Sequence, residues 1–85
     1  MHEYAAAVSA ELRAERGAQE LTFAQLAART GMYATTLIRY FKGERDIPVT
    51  PFTHMCMALG VEPAEIMRRA MVRVEREAQQ RDGGQ

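Results

Sequence analysis

Tryptophan is missing from this 85-residue chain, cysteine occurs once and proline three times. A single cysteine, Cys56, excludes an intrachain disulfide. With only two histidines, His2 and His54, it also leaves no set of zinc ligands. Cys56 lies in the apolar run FTHMCMALG, where it reads as a small buried hydrophobe. No apolar run approaches the length of a membrane span. The N-terminus has neither a basic n-region nor an apolar h-region, so it does not read as a signal peptide. There is no cluster of catalytic carboxylates, no Gly-rich phosphate loop and no Ser/His/Asp arrangement, which argues against an enzyme. The expectation is a cytoplasmic, non-enzymatic protein with no membrane contact, no cofactor and no metal.

Net charge is also missing: 11 basic residues balance 11 acidic ones. The distribution is uneven. Residues 1–21 carry two Arg against four Glu, and residues 46–65 carry three acids and no Lys or Arg. Residues 22–45 hold Arg29, Arg39, Lys42 and Arg45 against Glu44 alone, and residues 66–85 hold five Arg against three acids. A central basic block therefore sits inside a neutral chain.

Ala, Leu, Met, Glu, Gln and Arg dominate, all helix formers, so the expected class is all-α. Five helical segments can be read. The first runs from about Glu3 to Arg16, with Gly17 as a stop signal. Thr22 is a good N-cap for the second, Phe23 to Arg29, and Gly31 suits the left-handed residue that closes it. The third covers Ala34 to Phe41, with Leu37, Tyr40 and Phe41 as its apolar stripe, and Gly43 ends it. Thr50 reads as the cap of the fourth, with Pro51 at its first position, and Gly60 closes it. The fifth begins at Pro63 and reaches Gln80. The tail RDGGQ, residues 81–85, is expected to be disordered, leaving residues 1–80 as one domain.

Segments two and three are joined by about four residues, TGMY. So short a connection forces the two axes to cross steeply, which is the helix-turn-helix arrangement over residues 23–42. In that arrangement the second helix is presented to the DNA major groove. Four stretches follow in order: LRAER, LTFAQLAARTGM, YFKGERDIP and ALGVEPAEI. With them the segment from Leu12 to Met67 resembles the lambda repressor/Cro-type helix-turn-helix family, also called the XRE family. The resemblance implies a five-helix lambda repressor-like DNA-binding domain with an extended C-terminal helix.

It also implies roles. Ala34, Thr35, Thr36 and Arg39 occupy the positions that meet base edges. Arg39 can donate two hydrogen bonds to guanine, and the methyl groups of Ala34 and the threonines suit thymine. Thr22, Phe23, Tyr33, Lys42, Gly43 and Arg45 lie where such proteins grip phosphates. Phe23 contributes there through the free amides of a helix N-terminus, and Gly43 through its own amide. The chain departs from the family's pattern at Phe23, where Gln is usual, and at Tyr33, where Ser or Thr is common. It departs again at Phe41, where a Glu usually pairs with an Arg at the position of Arg16. On that pattern Arg16 is left without a partner.

The fifth segment is longer than capping a small domain requires. Met67, Met71, Val74 and Ala78 fall on its apolar stripe and read as a homodimer seam. The expected function is a sequence-specific transcriptional regulator binding double-stranded DNA, of the phage- or plasmid-type repressor kind. Two alternatives stay open. One is an antitoxin-type regulator holding a protein partner through its C-terminal region. The other is an interaction module that has lost DNA binding, which the neutral charge and Phe23 favour and Arg39, Lys42 and Arg45 disfavour.

Overall fold

Five helices account for most of residues 3–83, the residues described in the computed structural model, and no strand occurs among them. They are α1 (Glu3–Gln19), α2 (Phe23–Thr30), α3 (Ala34–Lys42), α4 (Val49–Leu59) and α5 (Pro63–Gly83). The architecture is the expected five-helix, all-α one.

Helices α2 and α3 each end one residue later than the sequence reading, and three other helix limits differ by more. Gly17 does not stop α1: the helix continues to Gln19, and Glu20 takes the left-handed turn with φ 56°. The closing bonds run from the Glu20 amide to the Gly17 carbonyl, 3.1 Å, and from the Leu21 amide to the Arg16 carbonyl, 3.2 Å. This is a Schellman closure, in which the helix end is set by where Leu21 must enter the core. A side chain in that backbone region costs about 1–2 kcal/mol relative to glycine. Glu20→Gly is therefore expected to raise the thermal midpoint, a gain of up to about 1 kcal/mol once the added freedom of the unfolded chain is subtracted. A melt followed by circular dichroism checks it.

The second difference is at α4. Pro48, not Thr50, is its N-cap, and the Pro48 carbonyl accepts the first intrahelical bond from Phe52 at 3.0 Å. Pro51 then occupies the third helical position, two deeper than the cap-plus-one site, still within the first turn where no amide is needed. The third concerns α5, which passes the expected end at Gln80. Arg81, assigned to the tail by the sequence, is helical and lies 3.8 Å from Glu3. Gly84 and Gln85, the end of that tail, lie outside the described residues, as does His2.

The core is built from Leu12, Leu21, Leu26, Leu37, Tyr40, Phe41, Met55, Cys56, Leu59 and Ile66. Cys56 is fully buried, and burial pushes its thiol up to about 11, so it stays protonated and unreactive near neutral pH. A second, smaller cluster joins Ala7 to Ala70 and Val74. It exists because α1 lies antiparallel along α5, with Glu15 facing Arg69 at 2.8 Å, Glu11 facing Arg73 at 2.7 Å and Glu3 facing Arg81. Val74 is thus buried inside its own chain. The seam expected over Met67, Met71, Val74 and Ala78 loses that residue because α1 already covers this face of α5.

These ion pairs make a pH statement. Glu15 is held below the usual carboxylate range first by the Gln19 amide, which donates to it at 2.8 Å, and then by Arg69. Glu65 is drawn down to about 2 by hydrogen bonds from Arg68 and then Arg69. Both carboxyls bind protons more weakly in the folded chain than in the unfolded one. The stability they contribute is complete above the ordinary value near 4.5 and disappears as pH falls through the folded values. Thermal midpoints measured from pH 7 downward are expected to hold to about pH 5 and then fall. In a Glu15→Gln, Glu65→Gln double variant the acid-side fall should be shallower.

Candidate nucleic-acid interface

The pair α2–α3 is fixed by its caps and by one shared hydrophobic contact layer. Thr22 and Gln25 form a capping box: the Thr22 hydroxyl accepts from the Gln25 amide at 3.0 Å, and the Gln25 side chain accepts from the Thr22 amide at 2.8 Å. The amides of Phe23 and Ala24, the first two of the helix, are left for an outside acceptor. At the other end Gly31 takes φ 74° and closes α2 onto the Ala27 carbonyl at 2.9 Å. Thr30 bridges the turn, donating to the Leu26 carbonyl and accepting from the Met32 amide.

Three residues later α3 begins, and its two faces differ. Leu37, Tyr40 and Phe41 are buried and tie the helix to the core. Thr35 and Arg39, four residues apart and so on one face, are exposed. Ala34 and Thr36 flank them half-buried. Among the described residues none of the Thr35, Thr36 and Arg39 side chains makes a hydrogen bond or ion pair. The base-reading set proposed from sequence is therefore gathered on and beside one unpartnered surface of α3, with a planar guanidinium one turn beyond a hydroxyl.

The phosphate set divides. Lys42 is exposed at the end of α3. Arg45 is exposed too, and its guanidinium stands 5.6 Å from the centre of the Tyr40 ring, which orients it through a cation–π contact. Tyr33 is 83% exposed and makes no side-chain cap for α3, and its hydroxyl has no hydrogen-bond partner among the described residues. The Thr22 hydroxyl is occupied as an acceptor but keeps its own proton to donate. Gly43 is a correction: its amide is engaged by the Tyr40 carbonyl at 3.1 Å, because it is the left-handed residue that closes α3. It offers shape there, not a free donor. Phe23 offers its backbone only, since its ring turns inward and meets Phe41 edge-on, centroids 5.4 Å apart.

Arg16 is likewise not left free. It donates to the Leu21 carbonyl at 2.7 Å and lies over the Phe23 ring, 4.1 Å from its centre. Where the family's pattern has an ion pair and a Gln, this chain stacks a cation on one of two contacting rings. The departures at Phe23 and Phe41, together with Arg16, are one compensated unit.

Sequence reasoning missed the part played by α1. Its buried Ser9 hydroxyl donates to the Tyr40 carbonyl at 2.9 Å, and Arg13 donates to the Phe41 carbonyl. Both hold the end of α3. The available signal was rotational: Arg13 and Arg16 are one turn apart, on a different side of α1 from Glu11 and Glu15. On α5, Met67, Met71 and Val72 remain exposed, and Ala78 is half-buried. Met67 also borders an apolar groove of about 220 Å³ with Ala5, Val8, Ile47, Val49 and Phe52. Among the described residues no helix is long and apolar enough to cross a membrane.

A family model described as a helix-turn-helix domain matches residues 7–68. Two crystal structures of the clp gene regulator ClgR from Corynebacterium glutamicum are similar in fold. One is 23% identical with a TM-score of 0.86, covering 95% of this chain and 86% of that one. The other is 24% identical with a TM-score of 0.75, covering 80% and 88%. No curated protein matches the chain.

Proposed function

The chain belongs to the helix-turn-helix domain family, and we propose that it is a DNA-binding transcriptional regulator that reads the major groove with α3. The observation that carries this reading is the division of α3: one face locked into the core by Leu37, Tyr40 and Phe41, the other offering Thr35 and Arg39 with no partner among the described residues. Arg39 recognises guanine, Thr35 a neighbouring base or phosphate, and Ala34 and Thr36 bring methyl groups to the groove wall. Lys42, Arg45, Tyr33 and the amides at the start of α2 hold the backbone on either side.

The finer reading is a repressor of the lambda repressor/Cro type, of phage or plasmid kind, blocking transcription by occupying its site. The regulator named in the two similar structures is in keeping with a regulatory role. The protein acts as a homodimer, with Met67, Met71 and Val72 as the contact rather than the original stripe. A dimer sets two copies of α3 on half-sites about 34–36 Å apart. It also doubles the positive charge presented by a neutral chain. The interaction-module alternative loses its support from Phe23, whose ring is accounted for by Phe41 and Arg16.

Titration of the purified protein against its own upstream DNA, at two salt concentrations, tests the reading. Tight binding is expected, confined to two half-sites one turn apart and weakening with salt by about 0.9 in log–log slope for each phosphate neutralised. Weak binding, equal for unrelated DNA and insensitive to salt, would overturn it.

A further inference from the structure

We propose that Arg13 of α1 is a further ligand for the DNA backbone, gripping the same phosphodiester region as Lys42. The proposal rests on the DNA-binding reading above and extends it to a helix outside the α2–α3 pair. Its basis is a division of charge around α1. The acids Glu3, Glu11 and Glu15 are each turned toward an arginine of α5. Arg13 and Arg16 instead turn to the α2–α3 side, where each donates to a backbone carbonyl.

The two then differ. Arg16 is half-buried under contact with the Phe23 ring, and its Nε is buried with no hydrogen-bond partner among the described residues. It positions the start of α2. Arg13 is exposed, and only Nη1 is engaged, by the carbonyl of Phe41, the residue immediately before Lys42. A guanidinium has five N–H donors, so four remain with no partner among the described residues. The one bond that is made fixes the planar group at the end of α3, which lowers the ordering cost of the others. A phosphodiester oxygen approaching Lys42 thus meets a second, preoriented cation. The nearest acids in sequence on that edge, Glu44 and Asp46, are exposed in the loop that follows and form no ion pair among the described residues.

The experiment compares salt titrations of DNA binding for the wild type, Arg13→Gln and Arg13→Lys, each with a thermal melt. Arg13→Gln is expected to lower the log–log salt slope by about 0.9 and to weaken binding to specific and unrelated DNA by the same factor. Arg13→Lys should keep the wild-type slope, whereas a purely structural role for the carbonyl contact predicts an unchanged slope in Arg13→Gln as well. An unchanged slope in Arg13→Gln beside a normal wild-type slope overturns the proposal alone, whatever its melt does. A wild type without salt-dependent binding overturns the parent reading and this one together. If Arg13→Gln does not fold, amine-reactive footprinting of Arg13→Lys decides: protection of the new amine by DNA supports the proposal, and undiminished labelling sinks it.

Discussion

Arg39→Ala is expected to weaken sequence preference sharply while leaving the fold untouched. Losing a bidentate contact to guanine costs about 1–3 kcal/mol of discrimination. That is roughly 5- to 150-fold in affinity for the specific site. Affinity for unrelated DNA should change little, because it depends on phosphate contacts that Lys42 and Arg45 still make. Arg39 is exposed and without an internal partner, and alanine is a better helix former, so the melt should move by no more than about 0.5 kcal/mol. Competition binding with specific and random duplexes reads both quantities at once. Equal weakening on both duplexes would reassign Arg39 to the phosphate backbone. No weakening on either would remove α3 as the reader.

Phe41→Ala should have the opposite character. The side chain is 1% exposed, meets the Phe23 ring edge-on and lies in the layer that orients α3. Truncating a buried phenylalanine costs about 3–5 kcal/mol. A domain of this size holds only about 5–15 kcal/mol in total. The thermal midpoint is expected to drop by more than about 12 °C, at roughly 4–8 °C per kcal/mol for a small domain. Specific and unrelated DNA should then be lost together, in proportion to the unfolded fraction. The aromatic pair itself can be isolated by a double-mutant cycle with Phe23→Leu and Phe41→Leu, where a coupling of about 0.5–1.5 kcal/mol is expected. A cycle that closes to zero would mean the two rings are neighbours without mutual stabilisation.

Much of this architecture could be read from short spacings. Thr22 with Gln25, Gly31, Gly43 and Gly60 mark helix ends through bonds spanning three to five residues, and the helix limits of α2 and α3 followed from them. The candidate reading face followed too, because Thr35 and Arg39 are one turn apart and opposite the apolar stripe. Gly17 misled because a glycine inside a helix costs only about 1 kcal/mol, which the approach of Leu21 to the core outweighs. Gly43 misled in another way: it was correctly placed at the helix end, but its amide is occupied by the closing bond itself.

The order of helices, the caps of α2 and α3 and the chemistry of the exposed side of α3 were determined by the sequence alone, since each depends on interactions among residues a few positions apart. Only the tertiary structure decided which residues far apart in the chain meet. Glu15 finds Arg69 across 54 positions and Glu11 finds Arg73 across 62, so α1 covers Val74 and the stripe on α5 ceases to be a free seam. The same packing brings Arg16 over Phe23 and Arg13 to the end of α3. A side chain's periodicity says which side of its own helix it occupies. What lies across from that side is fixed by how whole helices share one core.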